Sequence, residues 1–270
     1  MLLSVADDWR GSAVGCGGEE PVLTPHLDAL AAGGARLMGA RHAGSMIAAV
    51  CQPSRAMLHT GRAPFDLPAD MLYGGVEPSG PATAPTLAER LREAGYHTHL
   101  VGKWHNGEAV ARRGFDAGTS VFFGGMSDQF DLPVHDFGPA GETSATTMGV
   151  HSVEQFADAA ERVVAAHRRG DFGDKPLFLC VNWTTPHDPT ITLRLTYRTS
   201  APSRAAARPI WKSPFTSVSA NTSARYASGE SPATPPAMLA TSSACVLIGP
   251  PESSGWLLSR LPIRHWKMTV

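Results

Sequence analysis

A helix pattern is followed closely by a strand pattern in two segments, Ser152-Val-Glu-Gln-Phe-Ala-Asp-Ala-Ala-Glu-Arg-Val-Val-Ala-Ala-His-Arg-Arg169 and Pro176-Leu-Phe-Leu-Cys-Val-Asn-Trp183. In the first segment, the apolar positions 153, 156, 160, 163 and 164 recur at helical spacing and predict one buried face. The second segment is a short apolar run, which is typical of a strand buried on both faces. Together they predict one helix–strand unit of an α/β fold.

The alternation of strands and helices extends back to the amino terminus. Met1 to Ala6 and Tyr96 to Val101 are predicted strands, because the first is a short apolar run and the second alternates. The whole pattern predicts an α/β layered domain with a largely parallel sheet flanked by helices. Helices are predicted from an N-cap at Thr24 to Gly33, near Pro53 to Thr60 and from Pro85 to Ala94, and residues 35–42 are compatible with a further strand.

Polar residues follow three of the predicted strands. Asp7 and Asp8 come after the first strand, Lys103 ends the Tyr96 strand, and His187 lies beyond the Pro176 strand. In a parallel sheet, functional residues collect beyond the carboxyl ends of the strands. We therefore expect these side chains to lie at one edge of the sheet.

The overall composition excludes several classes of protein. The 270 residues are 43% hydrophobic and 17% charged, which is ordinary for a globular chain of one or two domains, and the net charge of -1 provides no basic surface for nucleic acid. No apolar run reaches the ~20 residues that a bilayer span needs. The first residues lack the basic region and cleavage site of a signal peptide, so none is expected in this chain, and the compartment stays open.

The charges divide the chain into two unlike parts. Residues 1–189 hold 14 Lys/Arg and 22 Asp/Glu, whereas residues 190–270 hold 9 and 2, with 22 Ser/Thr and nine prolines. Such a composition rarely sustains a packed core. We therefore expect residues 1–189 to form a domain and residues 190–270 not to pack natively. The abrupt change is typical of a reading-frame change, and an evolved linker is the alternative.

Two long motifs carry a resemblance to a known family. Cys51-Gln-Pro-Ser-Arg-Ala-Met-Leu-His-Thr-Gly-Arg62 and Gly95-Tyr-His-Thr-His-Leu-Val-Gly-Lys-Trp-His105 match C-x-P-S-R…T-G-R and G-Y-x-T-x-x-x-G-K-W-H. Both signatures are those of the sulfatase family, the formylglycine-dependent sulfuric ester hydrolases of the alkaline-phosphatase-like superfamily. The resemblance covers residues 1 to about 189. It implies an alkaline-phosphatase-like layered domain that is incomplete at the carboxyl end, because sulfatases run further and add a smaller domain.

The resemblance assigns a chemical role to Cys51. A sulfate monoester is an anion, so its hydrolysis needs cationic groups, a nucleophile and a proton donor. In sulfatases the motif cysteine is oxidised to formylglycine by a formylglycine-generating or anaerobic sulfatase-maturing enzyme, and the hydrate attacks sulfur. Without the motif, Cys51 would be read as a small buried hydrophobe, the usual role of a free cysteine.

Four further residues receive catalytic roles by resemblance. Arg55 would hold the hydrate, and Lys103 would bind a sulfate oxygen. His105 would take the proton when the sulfated hydrate collapses, and His187 would donate to the leaving oxygen; without the motifs, each would be read as structural or solvated. Nine histidines are left without a role: His26, His42, His59, His97, His99, His135, His151, His167 and His265.

The resemblance also implies a divalent cation bound by Asp7, Asp8 and the modified Cys51. Carboxylate oxygens favour Ca²⁺, or else Mg²⁺, over zinc. Sulfatases complete this site with a later Asp-Asn or Asp-His pair and a lysine. This sequence has no Asp after Asp188 and only Asn221 in the tail, which predicts weak metal binding and puts turnover in doubt.

Three functions therefore stay open. The first is a sulfuric ester hydrolase acting on a small-molecule or carbohydrate sulfate ester. The second is a phosphonate or phosphodiester hydrolase of the same superfamily, which shares the cysteine motif. The third is a non-catalytic pseudoenzyme or fragment.

Overall fold

The computed structural model describes residues 1–17, 20–37, 39–40, 44, 51–72, 80–146, 149–187 and 246–248. All of the described elements belong to one compact unit. The strands are β1 Leu2–Asp7, β2 His97–Lys103, β3 Ala117–Phe122, β4 Pro133–Phe137, β5 Thr143–Thr146, β6 Leu177–Pro186 and β7 Val246–Ile248. The helices are α1 Pro25–Ala32, α2 Cys51–Thr60, α3 Leu87–Glu93, α4 Glu108–Gly114 and α5 Ser152–Arg168.

The strands form one mixed sheet in the order β5-β4-β3-β2-β6-β1-β7. The four central strands, β3, β2, β6 and β1, are parallel, and the pairs at both edges are antiparallel. Strand β6 lies between β1 and β2, with Cys180 opposite both Leu3 and Leu100. The carboxyl ends of these three strands are therefore neighbours, and the predicted largely parallel α/β sheet is confirmed.

The residues of β6 alternate between two hydrophobic cores. Phe178 and Cys180 pack with α2, α3 and α4, whereas Leu179 and Val181 pack with α5. Because successive side chains of a strand point to opposite faces, this alternation shows that both faces of the sheet are covered. On the α5 side Phe156 is fully buried, and its truncation to alanine would cost about 3–5 kcal/mol.

The starts of helices α3 and α1 are held by different hydrogen bonds. Helix α3 begins with a capping box, in which Thr86 Oγ1 accepts from the Glu89 amide and the Glu89 carboxylate accepts from the Thr86 amide. Helix α1 begins at Pro25 as predicted, but Thr24 makes no cap hydrogen bond. Its hydroxyl instead donates to the Asp28 carboxylate and accepts from the Gly15 amide, so Thr24 lies at the predicted N-cap position without a side-chain cap bond.

Two further predictions concern the strand at residues 35–42 and the packing of the tail. The strand considered at residues 35–42 is wrong for 35–37, 39 and 40, which form no strand, and its remaining positions lie outside the described residues. In the tail, Val246–Ile248 pairs with β1, while 188–245 and 249–270 lie outside the described residues, so the packing of residues 190–270 stays a prediction.

Among the helices described, none has both the length and the apolar character to cross a bilayer.

Candidate active site

Three strand ends and one helix start meet at the carboxyl edge of the parallel sheet. Asp7 ends β1 opposite Pro186, which directly precedes His187 at the end of β6. Lys103 ends β2. Helix α2 contributes Cys51 as its first residue and Arg55 one turn later. The structure thus brings together these five residues, which the sequence placed at separate elements.

The charged centre of the site is a carboxylate held between two cations. The Lys103 ammonium donates a hydrogen bond to Asp7 Oδ2, and Arg55 Nη2 lies 3.2 Å from Asp7 Oδ1. Arg55 Nη1 also donates to the backbone carbonyl of Lys103 at 2.8 Å. Burial raises the pKa of Asp7, but the charges of Arg55 and Lys103 outweigh this and hold the pKa below its usual value.

The trio of Asp7, Lys103 and Arg55 is buried and carries one more positive than negative charge. Lys103 is 1% exposed and Arg55 is 3% exposed. Coulombic attraction is much stronger in such surroundings than in water. The strand ends therefore favour an anion that approaches Lys103 and Arg55.

Cys51 lies half-buried beside His187 at the start of α2. Burial raises the pKa of the Cys51 thiol. The hydrogen bond with His187 and the charge of Lys103 lower it by more, so the net pKa lies below its usual value. In contrast, complete burial raises the pKa of Cys180 to about 12. Because reactivity follows the thiolate, Cys51 has the surroundings of a reactive cysteine and Cys180 those of a packing residue.

His105 lies two residues beyond the end of β2, with a left-handed φ of 59°. Burial lowers the pKa of its imidazole, and the charges of Lys103 and Arg55 lower it further, to about 4. The ring is therefore neutral near pH 7 and can accept a proton. Its surface packs on Gly125, in the segment after β3.

Two buried residues that the sequence analysis left without a role hold the loop after β2. Asn106 Nδ2 donates to the backbone carbonyls of Gln52 and Met71, both at 2.9 Å. His59 is buried and packs against Trp104, with 4.7 Å between ring centroids and the ring planes tilted by 47°. Asn106 directly follows Trp104-His105, but nothing in its residue type indicated this bridging contact, which depends on the tertiary fold.

Asp8 is the predicted site residue that the structure leaves apart. It is exposed and has a φ of 60°, so the chain turns immediately after Asp7. Among the described His, Cys, Asp and Glu residues, the potential metal-ligand atoms that lie within 4.8 Å of one another belong to Asp7, Cys51 and His187. Asp8 does not belong to this group.

Comparison with known proteins agrees with this geometry. The family model for Sulfatase matches residues 1–226 of the 270-residue chain. The chain belongs to the sulfatase family. The match extends past residue 189, where the similarity of the motifs ended, and therefore includes part of the Ser/Pro-rich tail.

Individual relatives resemble this sulfatase over part of their length. Arylsulfatase J of Mus musculus is 30% identical over 210 residues, which cover 70% of this chain and 32% of that protein. Arylsulfatase A of Bos taurus is 43% identical over 112 residues, covering 40% and 21%. A protein solved in complex with its substrate D-glucosamine-2-N,6-O-disulfate has the same fold, with a TM-score of 0.51 at 21% identity, covering 70% of this chain and 34% of that one. The chain thus spans about a third or less of these relatives.

The donor atoms of this sulfatase do not by themselves fit a calcium site. Calcium takes about 6 to 8 oxygen ligands. Asp7 supplies the only carboxylate of the described donor group, and that carboxylate already contacts two cations, while Cys51 and His187 offer sulfur and nitrogen. The Ca²⁺ or Mg²⁺ ion expected at Asp7, Asp8 and Cys51 therefore stays a prediction.

Proposed function

We propose that this protein is a sulfuric ester hydrolase that acts on sulfate monoesters at the carboxyl edge of its sheet. The observation that carries the proposal is the placement of the buried cations Lys103 and Arg55 beside Cys51 and two histidines. Membership of the sulfatase family supports the same reaction.

Lys103 and Arg55 bind the sulfate group in this proposal. The Lys103 ammonium contacts a sulfate oxygen, while Arg55, anchored on the backbone carbonyl of Lys103, supplies the second positive charge. Both charges are fixed before substrate arrives, because Asp7 and the fold already orient them. Removal of one preorganised donor of this kind typically lowers kcat about 10²–10³-fold.

Cys51 is the residue that would be modified. Its Pro53-Ser54-Arg55 context supports recognition by a formylglycine-generating or anaerobic sulfatase-maturing enzyme. Formylglycine at this position would supply, as its hydrate, the hydroxyl that attacks sulfur. Half-burial of position 51 and the neighbouring His187 fit such a group, because the hydrate needs hydrogen-bond partners and protection from bulk water.

The two histidines divide the proton transfers. His187 lies against position 51 and donates a proton to the ester oxygen as it leaves. His105 is neutral at pH 7, because its pKa is about 4, and its ring takes up a proton when sulfate is released. General acid and base groups of this kind each contribute roughly 10²–10⁴-fold to the rate.

The substrate class follows from the charge and from the relatives. The site favours an anionic ester group, and the protein solved with D-glucosamine-2-N,6-O-disulfate binds a sulfated carbohydrate. We therefore propose a carbohydrate or other small-molecule sulfate ester as the substrate.

The test is production of the full chain together with a formylglycine-generating enzyme, followed by assay with 4-nitrophenyl sulfate and glucosamine 6-sulfate. Mass spectrometry of the tryptic peptide 42–55 should show conversion of Cys51. Sulfate release should be lost in Cys51→Ala and retained in Cys16→Ala, a half-buried cysteine outside the site. An unmodified thiol beside a converted control sulfatase, or release that survives Cys51→Ala, would contradict the proposal.

A non-catalytic role is the second candidate. It is favoured by the shortage of carboxylate ligands for a divalent cation. The Asp7 carboxylate is shared by two cations, and the sequence contains no Asp after Asp188. Calorimetry that shows inorganic sulfate binding without any turnover would favour this role. Faster hydrolysis of bis(4-nitrophenyl) phosphate or a phosphonate ester than of sulfate esters would instead indicate the phosphorus-ester alternative.

A further inference from the structure

We propose that residues 123–132, the segment after β3, position both histidines of the site through Gly125 and Gln129. This inference rests on the proposed function, because it explains how two proton-transfer groups on different strands keep one geometry. It assigns roles to residues outside both sequence motifs.

Gly125 is a glycine because the His105 ring occupies the space of a side chain. A Cβ built on Gly125 would lie 2.5 Å from Cε1 and 2.6 Å from Nε2 of His105. The backbone of Gly125 does not have a positive φ, so an alanine there meets no backbone strain. The close contact with His105 is therefore what a side chain at position 125 would disturb.

His105 depends on such a contact more than an ordinary histidine would. Its φ of 59° is a sparsely populated conformation for a residue other than glycine, and neighbouring structure has to maintain it. Trp104, immediately before it, is fixed by a hydrogen bond from its indole to the Gly107 carbonyl at 2.8 Å. Gly125 supplies a flat surface on the ring itself, so it restricts the direction in which the imidazole points.

Gln129 anchors the same segment to the rest of the domain. Its side chain is 3% exposed, and its Oε1 accepts hydrogen bonds from the Ser152 and Thr184 hydroxyls. The two hydroxyl oxygens also lie 2.8 Å from each other, so the side-chain oxygens of Gln129, Ser152 and Thr184 form one buried hydrogen-bonded cluster. The Gln129 backbone carbonyl accepts from the Ser152 amide at 2.8 Å. Because these groups are buried, loss of the Gln129 acceptor leaves one hydroxyl donor unsatisfied even when the other hydroxyl donates to its neighbour.

Thr184 links this anchor to the second histidine. It lies in β6, three residues before His187, and Ser152 begins α5. The segment therefore contacts the His105 ring at Gly125 and the strand that carries His187 at Gln129. A shift of the segment would misplace both proton-transfer groups together.

The first test is Gly125→Ala in the full chain, with Gly33→Ala as the matched control. A Cβ at Gly33 would make only ordinary contacts of 3.7 and 3.8 Å, and its φ is -92°. We expect Gly125→Ala to lower kcat by about 10²-fold with KM unchanged, since a misplacement of about 1 Å can have that effect. The imidazole NMR signals of His105 should shift in Gly125→Ala and not in Gly33→Ala.

The second test is Gln129→Met, which removes the acceptor at similar size, paired with Gln129→Glu, which keeps a carboxyl oxygen there. Gln129→Met should lower kcat and shift the NMR signals of both His105 and His187, and Gln129→Glu should restore most of each. This pair carries the test if Gly125→Ala fails to fold.

The outcomes separate the two proposals. A wild-type protein that releases no sulfate refutes the proposed function, whereas the NMR shifts still decide whether the segment positions the histidines. Wild-type kcat and unchanged histidine signals in Gly125→Ala and Gln129→Met would overturn the positioning role.

Discussion

Half-buried or buried histidines lie at the amino end of β2 and just beyond its carboxyl end, and different partners surround them at the two places. At the amino end, His97 stacks on Phe172 with 3.8 Å between centroids, and its Nε2 lies 3.4 Å from His99 Nδ1. At the carboxyl end, His105 lies beside Lys103 and Arg55. Burial lowers the pKa of the histidines at both ends. A lowered histidine pKa is therefore no mark of a functional site by itself.

The charges near the two ends of β2 distinguish the surroundings of His97 from those of His105. At the amino end, the largest charge effect on the pKa of His97 is that of Asp116, which opposes burial and exceeds the effect of Lys175; Asp116 Oδ2 lies 3.7 Å from His97 Nδ1. At the carboxyl end, the largest charge effects on the pKa of His105 are those of Lys103 and Arg55, which act in the same direction as burial and exceed the opposing effect of Asp7. An anionic substrate is attracted only where positive charge exceeds negative charge. The comparison teaches that fixed cations, rather than buried imidazoles, distinguish the candidate active site.

The largest expected effect is that of Lys103→Met. This change removes the ammonium that contacts Asp7 while keeping a long apolar side chain, so kcat on an aryl sulfate should fall about 10²–10³-fold. Lys175→Met, an exposed lysine near the amino end of the sheet, is the matched control and should leave kcat unchanged. Equal losses in the two variants would break the distinction between the ends of β2.

The next effect concerns the pH dependence of turnover. If His105 accepts a proton, its neutral form is required, and a pKa of about 4 means that kcat should fall roughly tenfold per pH unit only below pH 4. A pH–rate profile measures this limb, and circular dichroism at each pH shows whether the protein is still folded. A limb centred near pH 6.5 would contradict the role of burial, together with Lys103 and Arg55, in keeping this ring neutral.

The amino end should affect stability rather than turnover. Burial lowers the pKa of His99 from 6.5, its ordinary value, to about 3, so the folded state binds its proton less well than the unfolded state. The resulting stability is fully present above pH 6.5 and is lost as the pH falls toward 3. Each pKa unit corresponds to about 1.4 kcal/mol, so the loss should reach a few kcal/mol.

Urea unfolding at pH 7 and pH 4.5 tests this expectation. His99→Gln keeps a partner for the Thr119 hydroxyl, which lies 2.9 Å from His99 Nε2, and should weaken the pH dependence of the free energy of unfolding. His135→Gln, at the less buried β4, should leave that pH dependence as in the wild type. An unchanged slope in His99→Gln would show that other groups cause the acid sensitivity.

The smallest expected effect is that of calcium. Asp7 already contacts two cations and Asp8 is exposed, so binding should be weak. A ligand present at its Kd stabilises by about 0.4 kcal/mol, which raises Tm by roughly 1–2 °C. Differential scanning calorimetry with millimolar calcium measures the shift. A much larger rise, abolished by Asp8→Ala, would show that a calcium site is completed after all.

The sequence predicted the elements whose apolar pattern is long or continuous. β1, β2, β6 and α5 all lie where periodicity placed them, and with them the strand ends that form the site. The α4 helix and strands β3 to β5 were missed, because they are short and mix polar with apolar residues.

Contacts that depend on tertiary structure were beyond the reach of the sequence patterns. Asp7 and Asp8 are adjacent and chemically alike, yet the turn after Asp7 buries one and exposes the other. Gln129 meets Ser152 and Thr184 only because three separate elements converge. No local spacing encodes these contacts, since each requires the folded sheet.

The position of β6 has a consequence for how the protein is made. β6 separates β1 from β2, so the amino-terminal strand cannot take its place until residues 177–186 have emerged from the ribosome. At 5–20 residues per second, that delay is roughly 10 to 40 s. During this interval, the apolar β1 is an unpaired strand that other chains can contact. Overproduction at lower temperature, or with chaperones that shield nascent chains, should therefore improve the yield of folded protein.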